Sequence, residues 1–179
     1  MNTISENKSI IDFSSKDMHP FTLIYLVDTK DNKVLLIKKK RNRLIGKWLG
    51  LGGKIEPGES VIESAKREFL AESGLTILDP AFRGTLHWIN EKEVGILYIF
   101  VATKYSGTLS KDCDEGELQW YDIQELDTIK DLADHQEKFL KEILTDDTYF
   151  YAGSSLYQNG KRISYTDSSS YFEKRKIKK

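Results

Sequence analysis

The chain has few of the residues that mark secreted, zinc-binding or membrane-spanning proteins. Its 179 residues include a single cysteine, Cys113, so no internal disulfide can form and nothing indicates an oxidising compartment. The three histidines are widely separated, which argues against a structural zinc site. The longest apolar stretch, residues 95–102, is far shorter than the roughly 20 residues of a membrane-spanning helix. We therefore predict a cytoplasmic protein that has no membrane partner.

The charge is balanced, without an excess of either sign. There are 27 basic and 28 acidic residues, which give a formal net charge of −1. A near-neutral total gives no reason to expect nucleic acid as the main partner. Hydrophobic residues make up 39% of the chain, as in ordinary globular domains. We predict a polar N-terminal arm over 1–20, one domain over 21–167 and a basic tail over 168–179.

Short runs of β-branched and apolar residues predict a series of strands. They lie at 21–27, 33–37, 85–89, 94–103, 118–123, 149–152 and 162–165. Apolar residues at helical spacing predict a helix over 59–73, which Gly74 ends, and a second amphipathic helix over 135–144. Strands and helices that mix without regular alternation predict an α+β fold, or a sheet between helices.

Glu68 and Glu72 lie four residues apart on the first predicted helix, so their side chains share one face. A divalent cation would relieve the repulsion between the two carboxylates, and Mg²⁺ takes such oxygen ligands together with substrate phosphates. The helix follows a cationic loop, residues 38–47, and three glycines within Gly50–Gly53. For an isolated pair a solvated acidic face is the simpler interpretation, so the wider pattern decides.

The wider spacing resembles the Nudix box, Gly-x5-Glu-x7-Arg-Glu-U-x-Glu-Glu-x-Gly-U, where U is a bulky aliphatic residue. Eight of the nine specified positions match if Phe69 is accepted at the first U. The matching residues are Gly53, Glu59, Arg67, Glu68, Phe69, Glu72, Gly74 and Leu75. The resemblance implies a Nudix hydrolase, an α/β/α sandwich with a mixed central sheet and the Nudix helix after a glycine-rich loop. Such enzymes use Mg²⁺ or Mn²⁺ to cleave nucleoside diphosphates linked to another group.

The resemblance also implies where the metal and the catalytic groups lie. Glu68 and Glu72 would bind the cation, together with the carbonyl group of Gly52. Glu115 falls where the family has a further metal-linked carboxylate, and Glu117 competes for that role. Glu68, or second to it Glu115, would orient or deprotonate the attacking water. The products would be a nucleoside monophosphate and pyrophosphate.

One position departs from the box. The first residue of the family's Glu-Glu pair is Ala71 here, which removes one ligand that would act directly or through water. Arg67 keeps its expected structural role of ordering the loop by pairing with Glu59. We predict an active enzyme with an altered demand for metal, and the alternative is a nucleotide-sensing module with little turnover.

Residues 22–166 resemble the MutT-type branch, which includes the 8-oxo-dGTP diphosphatases that remove oxidised purine nucleoside triphosphates from the nucleotide pool. Lys39 matches a lysine near the phosphates, Trp88 an aromatic residue of the base pocket, and Asp134 an acidic base reader. A tryptophan on a strand is equally typical of a core. The asparagine that reads the oxidised base is replaced by Leu49, whose side chain forms no hydrogen bond. A Nudix hydrolase for another nucleotide derivative is therefore the alternative.

Overall fold

The computed structural model describes residues 17–110 and 113–170, and these residues form ten strands and two α-helices. The strands are β1 (Asp17–Asp28), β2 (Lys33–Lys39), β3 (Trp48–Leu49), β4 (Leu75–Ile77), β5 (Ala81–Ile89), β6 (Glu93–Ala102), β7 (Tyr105–Gly107), β8 (Gly116–Asp122), β9 (Tyr151–Gln158) and β10 (Lys161–Asp167). The helices are α1 (Val61–Ser73) and α2 (Leu140–Thr145), and short 3-10 helices cover Ile123–Thr128 and Gln136–Lys138.

Eight of these strands form one mixed sheet in the order β10-β9-β5-β6-β1-β2-β3, with β8 paired to β2. β1 is parallel to β6 and β5 is parallel to β9, whereas the other pairs of this sheet are antiparallel. β4 and β7 form a separate two-stranded sheet, and α1 packs against β1 and β4. The mixed sheet with helices packed around it confirms the predicted fold class. The helices in the described part of the chain are all too short or too polar to cross a membrane.

The two strands at the centre of the sheet follow from their apolar runs. Residues 23–27 of β1 and 34–37 of β2 are buried without alternation, as expected where both faces of a sheet are covered. In the turn between them the Asp28 carboxylate accepts the N–H of Lys30 at 2.9 Å, and Asn32 has a positive φ of 54°. The antiparallel pairing of β1 with β2 confirms the predicted hairpin.

β1 is longer than predicted. It begins at Asp17, four residues before the predicted start, because Asp17–Pro20 pair in parallel with β6 from Glu93 onward. This part of the predicted N-terminal arm therefore belongs to the sheet. The partner strand is more than 70 residues away in the sequence, so the composition of 17–20 carries no sign of the pairing. The remainder of the predicted arm, 1–16, lies outside the described residues, as does 171–179 of the predicted tail.

α1 has strong local signals at both ends. Ser60 caps its N-terminus in a capping box with Glu63, and Gly74 ends it with a left-handed φ of 73° and an N–H that donates to the Leu70 carbonyl. The helix therefore begins two residues later than the predicted 59–73 and ends where predicted. Phe69 is fully buried in the core, which fixes the orientation of the helix against the sheet.

The prediction of one continuous second helix was wrong. Residues 135–144 form a 3-10 helix and the short α2, separated at Phe139, whose φ is −143°. Gln136, in the 3-10 helix before this break, has a buried amide that donates to the Trp48 carbonyl at 2.8 Å and accepts from Tyr25 and from the N–H of Gly50. These tertiary hydrogen bonds override the helical spacing of the neighbouring apolar residues.

The shortest strands carried no usable signal in the sequence. β3, β4 and β7 have only two or three residues each, too few to show a period of two. The closing hairpin was predicted, but β9 and β10 are longer than 149–152 and 162–165. Asn159 and Gly160 form its turn with φ values of 50° and 73°.

Candidate active site

The glycine-rich loop is hydrogen-bonded along β1. The N–H of Thr22 donates to the Gly53 carbonyl at 2.9 Å, and the N–H of Ile24 donates to the Leu51 carbonyl at 2.7 Å. Gly52 has a φ of 143°, and a Cβ there would overlap the carbonyl oxygen of Thr22. Only glycine fits this close approach. The backbone of Gly52 and Gly53 is therefore fixed next to the central sheet.

α1 directs two carboxylates at this loop. A Cβ on Gly53 would come within 2.6 Å of Cδ of Glu68, so the Glu68 carboxylate lies in the space that the glycine leaves. Glu72, one turn further along, accepts the N–H of Gly52 at 2.7 Å through Oε2. The two glutamates that were predicted to share a helix face therefore converge on two consecutive glycines.

Glu72 is buried and has a basic partner. Its side chain is 3% exposed, and its Oε1 lies 2.6 Å from Nζ of Lys39, which is itself 11% exposed. Burial raises the pKa of the Glu72 carboxyl, while Lys39 and the N–H of Gly52 oppose that rise. A buried carboxylate without partners is costly. These two contacts therefore stabilise Glu72 at its position.

Glu115 reaches the same cluster from the segment before β8. Its Oε2 lies 3.4 Å from Nζ of Lys39, and its other oxygen pairs with Arg41. Burial alone would raise the pKa of the Glu115 carboxyl, but Arg41 and Lys39 lower it. Glu117, the competing candidate, is exposed on β8. The structure thus brings Glu115 to Lys39 and Glu72, and leaves Glu117 at the surface.

These side chains line a cleft of about 360 Å³. Its walls are formed by Arg41, Glu68, Ala71, Glu72, Cys113, Asp114 and Glu115. Within residues 17–110 and 113–170, no three His, Cys, Asp or Glu side chains are grouped as a ready metal site. The three candidate glutamates are instead paired with Arg67, Lys39 and Arg41.

The donors around the cleft nevertheless suit a hard divalent cation. Carboxylate oxygens are the ligands that Mg²⁺ prefers, and the cradle that Gly53 leaves for the Glu68 carboxylate gives such oxygens room beside the loop. Glu68, Glu72 and Glu115 could supply them. The carbonyl group of Gly52 stays a predicted ligand.

Arg67 joins the loop to the helix. Its guanidinium donates to Glu59 at 2.8 Å, to the Lys54 carbonyl at 3.2 Å and to Glu68 at 2.6 Å. The hydrogen bonds that Arg67 donates to Glu59 lower the pKa of the Glu59 carboxyl to about 2. The predicted pairing of Arg67 with Glu59 is confirmed, and the contact with Glu68 shows that the same guanidinium also orients a cleft carboxylate.

Trp88 lies away from the carboxylate cluster, on β5. It is half-buried and covers Gly95 of β6, where a Cβ would overlap the indole. Phe21 contacts one part of it, with ring centroids 6.3 Å apart, and the guanidinium of Arg43 lies 5.0 Å from its ring centroid. Trp88 is therefore a partly open aromatic platform on the sheet, and not a fully buried core residue.

The other predicted base-side residues have different environments. Leu49 is 6% exposed and belongs to the hydrophobic core. Asp134 is exposed, and its carbonyl accepts a hydrogen bond from Arg162 at 3.0 Å. The next residue, His135, has a buried Nε2 that has no hydrogen-bond partner among residues 17–110 and 113–170. Burial lowers the pKa of His135 to about 4, so this imidazole is neutral at pH 7.

Arg41 and Arg43 are two basic residues of the site that the sequence showed only as members of the cationic loop, residues 38–47. Arg41 pairs with Glu115 at the cleft, and Arg43 stacks on Trp88 and pairs with Glu93 at 2.5 Å. Their positions give no usable signal, because β2 ends at Lys39 and both residues lie in the bends and turns that follow it, where the alternation of a strand no longer applies. Which acidic or aromatic partner each would meet depends on distant strands.

Comparison with known proteins identifies the family. Residues 18–143 match the NUDIX domain, and the chain belongs to the Nudix family. An uncharacterized Nudix hydrolase YvcI from Bacillus subtilis is 36% identical over 104 residues, covering 55% of this chain and 64% of the relative. The oxidized purine nucleoside triphosphate hydrolase of Danio rerio is 39% identical over 113 residues, covering 59% and 67%. The chain thus spans about two thirds of the length of these relatives.

Solved structures of MutT proteins have the same fold as this chain. The MutT protein from Bacillus halodurans superimposes with a TM-score of 0.74 at 29% identity, covering 84% of this chain and 97% of that structure. The chain therefore has MutT-like structural neighbours as well as relatives named for hydrolysis of oxidised purine nucleotides.

Proposed function

We propose that this protein is a metal-dependent nucleoside triphosphate pyrophosphohydrolase of the 8-oxo-dGTP diphosphatase type. The observation that carries the proposal is the convergence of Glu68 and Glu72 on Gly52 and Gly53, beside the cationic side chain of Lys39. The name of the Danio rerio relative supports the choice of substrate class.

The charged residues at the cleft have separate roles in this reaction. Lys39 and Arg41 attract the triphosphate and neutralise part of its charge. Glu68, Glu72 and Glu115 would hold a divalent cation, which would supply Lewis-acid charge stabilisation for the phosphates. Glu68 accepts the proton of the attacking water through its carboxylate, with Glu115 as the second candidate. The new bond joins the water oxygen to phosphorus, and the bond that breaks releases pyrophosphate from the nucleoside monophosphate.

Charge and position are the main contributions of such a site, because phosphoryl transfer needs little other chemistry from the protein. Arg67 helps by holding Glu68 through a hydrogen bond of 2.6 Å while it anchors the loop through Glu59. Trp88 offers a face for the base, and Asp134 stands as the acidic reader of its edge. These two roles follow from the resemblance and from the half-open position of Trp88.

A second candidate is a Nudix hydrolase that acts on another nucleoside diphosphate derivative. The burial of Leu49 in the core favours it, because the position that would read an oxidised base offers no hydrogen bond to the ligand. The ADP-ribose pyrophosphatase of Methanocaldococcus jannaschii is 31% identical over 129 residues, covering 71% of this chain and 75% of that protein. A sensing module with little turnover is favoured by Ala71 at the cleft wall.

One assay separates these functions. The purified protein is incubated with Mg²⁺ and a panel containing 8-oxo-dGTP, dGTP, dATP, ADP-ribose and a dinucleoside polyphosphate, and pyrophosphate and monophosphate release are measured separately. Preferred release of pyrophosphate from 8-oxo-dGTP is the expected result. Preference for ADP-ribose or a dinucleotide supports the second candidate. A thermal shift with nucleotide but without product supports the sensor.

A further inference from the structure

Lys39 has an unexpected position for a residue that is to bind phosphates. Its Nζ lies 2.6 Å from Glu72 and 3.4 Å from Glu115, so it bridges two of the candidate metal ligands. Its side chain is 11% exposed, which leaves little of the ammonium group to solvent. Lys39 therefore already supplies positive charge at the place where a divalent cation would be needed.

Glu72 has no unused oxygen in this arrangement. Oε1 accepts from Lys39 and Oε2 accepts from the N–H of Gly52. A cation that binds Oε1 meets the ammonium of Lys39 at close range, where two like charges repel strongly in a partly buried site. Lys39 therefore opposes the binding of a metal ion to Oε1 of Glu72.

Ala71 increases the competition between Lys39 and a divalent cation for Glu72. It lines the cleft with a methyl group next to Glu72, so the helix offers one carboxylate fewer to any cation. Glu68 and Glu115 each have a further basic partner, Arg67 and Arg41. Each of these three carboxylates is thus already paired, and a divalent cation that binds one of them competes with a side-chain cation.

We propose that Lys39 is an internal counter-cation that competes with divalent metal for Glu72. In the protein without metal it stabilises the buried carboxylates of Glu72 and Glu115. On metal binding it leaves Glu72, and the released ammonium turns to the substrate phosphates. This inference rests on the proposed function only in placing the cation at Glu68 and Glu72. It predicts that metal alone binds weakly and that the nucleotide strengthens metal binding, because the phosphates give Lys39 a new partner.

The first test compares two lysine variants by titration with Mn²⁺ in a calorimeter, with no nucleotide present. Lys39→Gln removes the competing charge, and Lys40→Gln removes the same charge from the neighbouring exposed residue. We expect Lys39→Gln to bind Mn²⁺ roughly fivefold or more tightly than the parent protein, as expected for two coupled sites, and Lys40→Gln to change affinity little. Equal affinities for the two variants, or weaker binding by Lys39→Gln, would overturn the proposal.

A second measurement uses the unaltered chain, because Lys39→Gln leaves Glu72 buried without its partner and can impair folding. Exposed amines are labelled with an acylating reagent, with and without saturating Mn²⁺, and the modified lysines are quantified by mass spectrometry. We expect Mn²⁺ to increase the labelling of Lys39 and to leave Lys40 unchanged. An unchanged labelling rate at Lys39 would overturn the proposal. Pyrophosphate release in the nucleotide panel is measured separately. A protein that hydrolyses nucleotides without an Mn²⁺-dependent increase in the labelling of Lys39 would overturn the proposal for Lys39 and leave the proposed function intact.

Discussion

The two proposed parts of the site are constructed in different ways, and we call them the phosphate side and the base side. The phosphate side combines Gly52 and Gly53 with Glu68 and Glu72, segments that follow one another in the chain and meet through α1. The base side draws on β3, on Trp88 of β5 and on the segment before α2, which are far apart in sequence. The first region is therefore defined by local spacing, and the second by how distant strands are arranged.

The two regions also differ in whether their polar side chains have partners. Every candidate carboxylate of the phosphate side has a charged partner, and Gly52 donates to one of them. On the base side Leu49 is part of the core, and the buried Nε2 of His135 has no partner in the part of the chain that the structure describes. The site therefore indicates the type of reaction more clearly than the preferred base, since hydrogen bonds to the edge of a base give discrimination between bases.

The largest effect is expected from Glu68→Gln on the phosphate side. The amide keeps the shape of the side chain but cannot accept the water proton, so kcat should fall by about 100-fold or more. Steady-state kinetics on the best substrate of the panel, with circular dichroism to verify the fold, measures this. Glu142→Gln on α2, exposed and away from the cleft, is the matched control. Near-normal turnover in Glu68→Gln would remove Glu68 from the reaction.

The next effect concerns the backbone of the same side. Gly52→Ala places a methyl group against the Thr22 carbonyl at a φ of 143°, and should lower the free energy of unfolding by about 3 kcal/mol or more. Gly58→Ala is the control, because Gly58 also has a positive φ, 90°, but open space around its missing Cβ. It should cost only about 1 kcal/mol. Similar losses for both in denaturant unfolding would mean that the close approach to β1 is unimportant.

On the base side we expect a smaller and different change. Trp88→Leu removes a stacking face worth roughly 1–3 kcal/mol, so KM should rise by about tenfold while kcat changes little. Trp120→Leu, at a half-buried tryptophan that packs against Tyr105, is the control. The same KM for Trp88→Leu and the parent protein would make Trp88 a structural residue and would leave the base side without its platform.

The last effect, which is confined to acidic pH, is a pH dependence that His135 contributes to stability. Its pKa is lowered from 6.5 to about 4 in the folded protein, because burial disfavours the charged form and the neighbouring Arg162 adds to the effect, while Asp134 opposes it. The unfolded chain therefore binds more protons between these values, and this contribution to stability is lost as pH falls from 6.5 to 4. Denaturant unfolding of the parent protein and of His135→Gln over this range should show a weaker pH dependence for the variant. Parallel curves would contradict a buried neutral imidazole.

The sequence predicted the parts of the fold that depend on local physics. The hairpin of β1 with β2 follows from apolar runs, and α1 follows from helical spacing with a glycine at its end. The convergence of Glu68 and Glu72 also follows, since a separation of four residues determines a shared face. Each of these features involves residues that are close in the chain.

The remaining features depend on partners that lie far away. Asp17–Pro20 join the sheet only because β6 lies beside them, and the 3-10 helix that replaces the start of the predicted second helix contains Gln136, whose amide bonds to Trp48 and Tyr25. The contact of Lys39 with Glu72 likewise joins residues 33 positions apart. No period or composition of a single segment encodes such pairings.

The hydrogen bonds between the glycine-rich loop and β1 have a consequence for how the protein loses activity on heating. Thr22 and Ile24, which hold the loop, belong to the buried part of β1, and the loop in turn holds Glu72. A local opening that separates the loop from β1 therefore also exposes core residues, and its free energy approaches that of global unfolding. Inactivation and melting of the central sheet should thus occur as one cooperative event, without an earlier stage in which the catalytic centre alone has come apart.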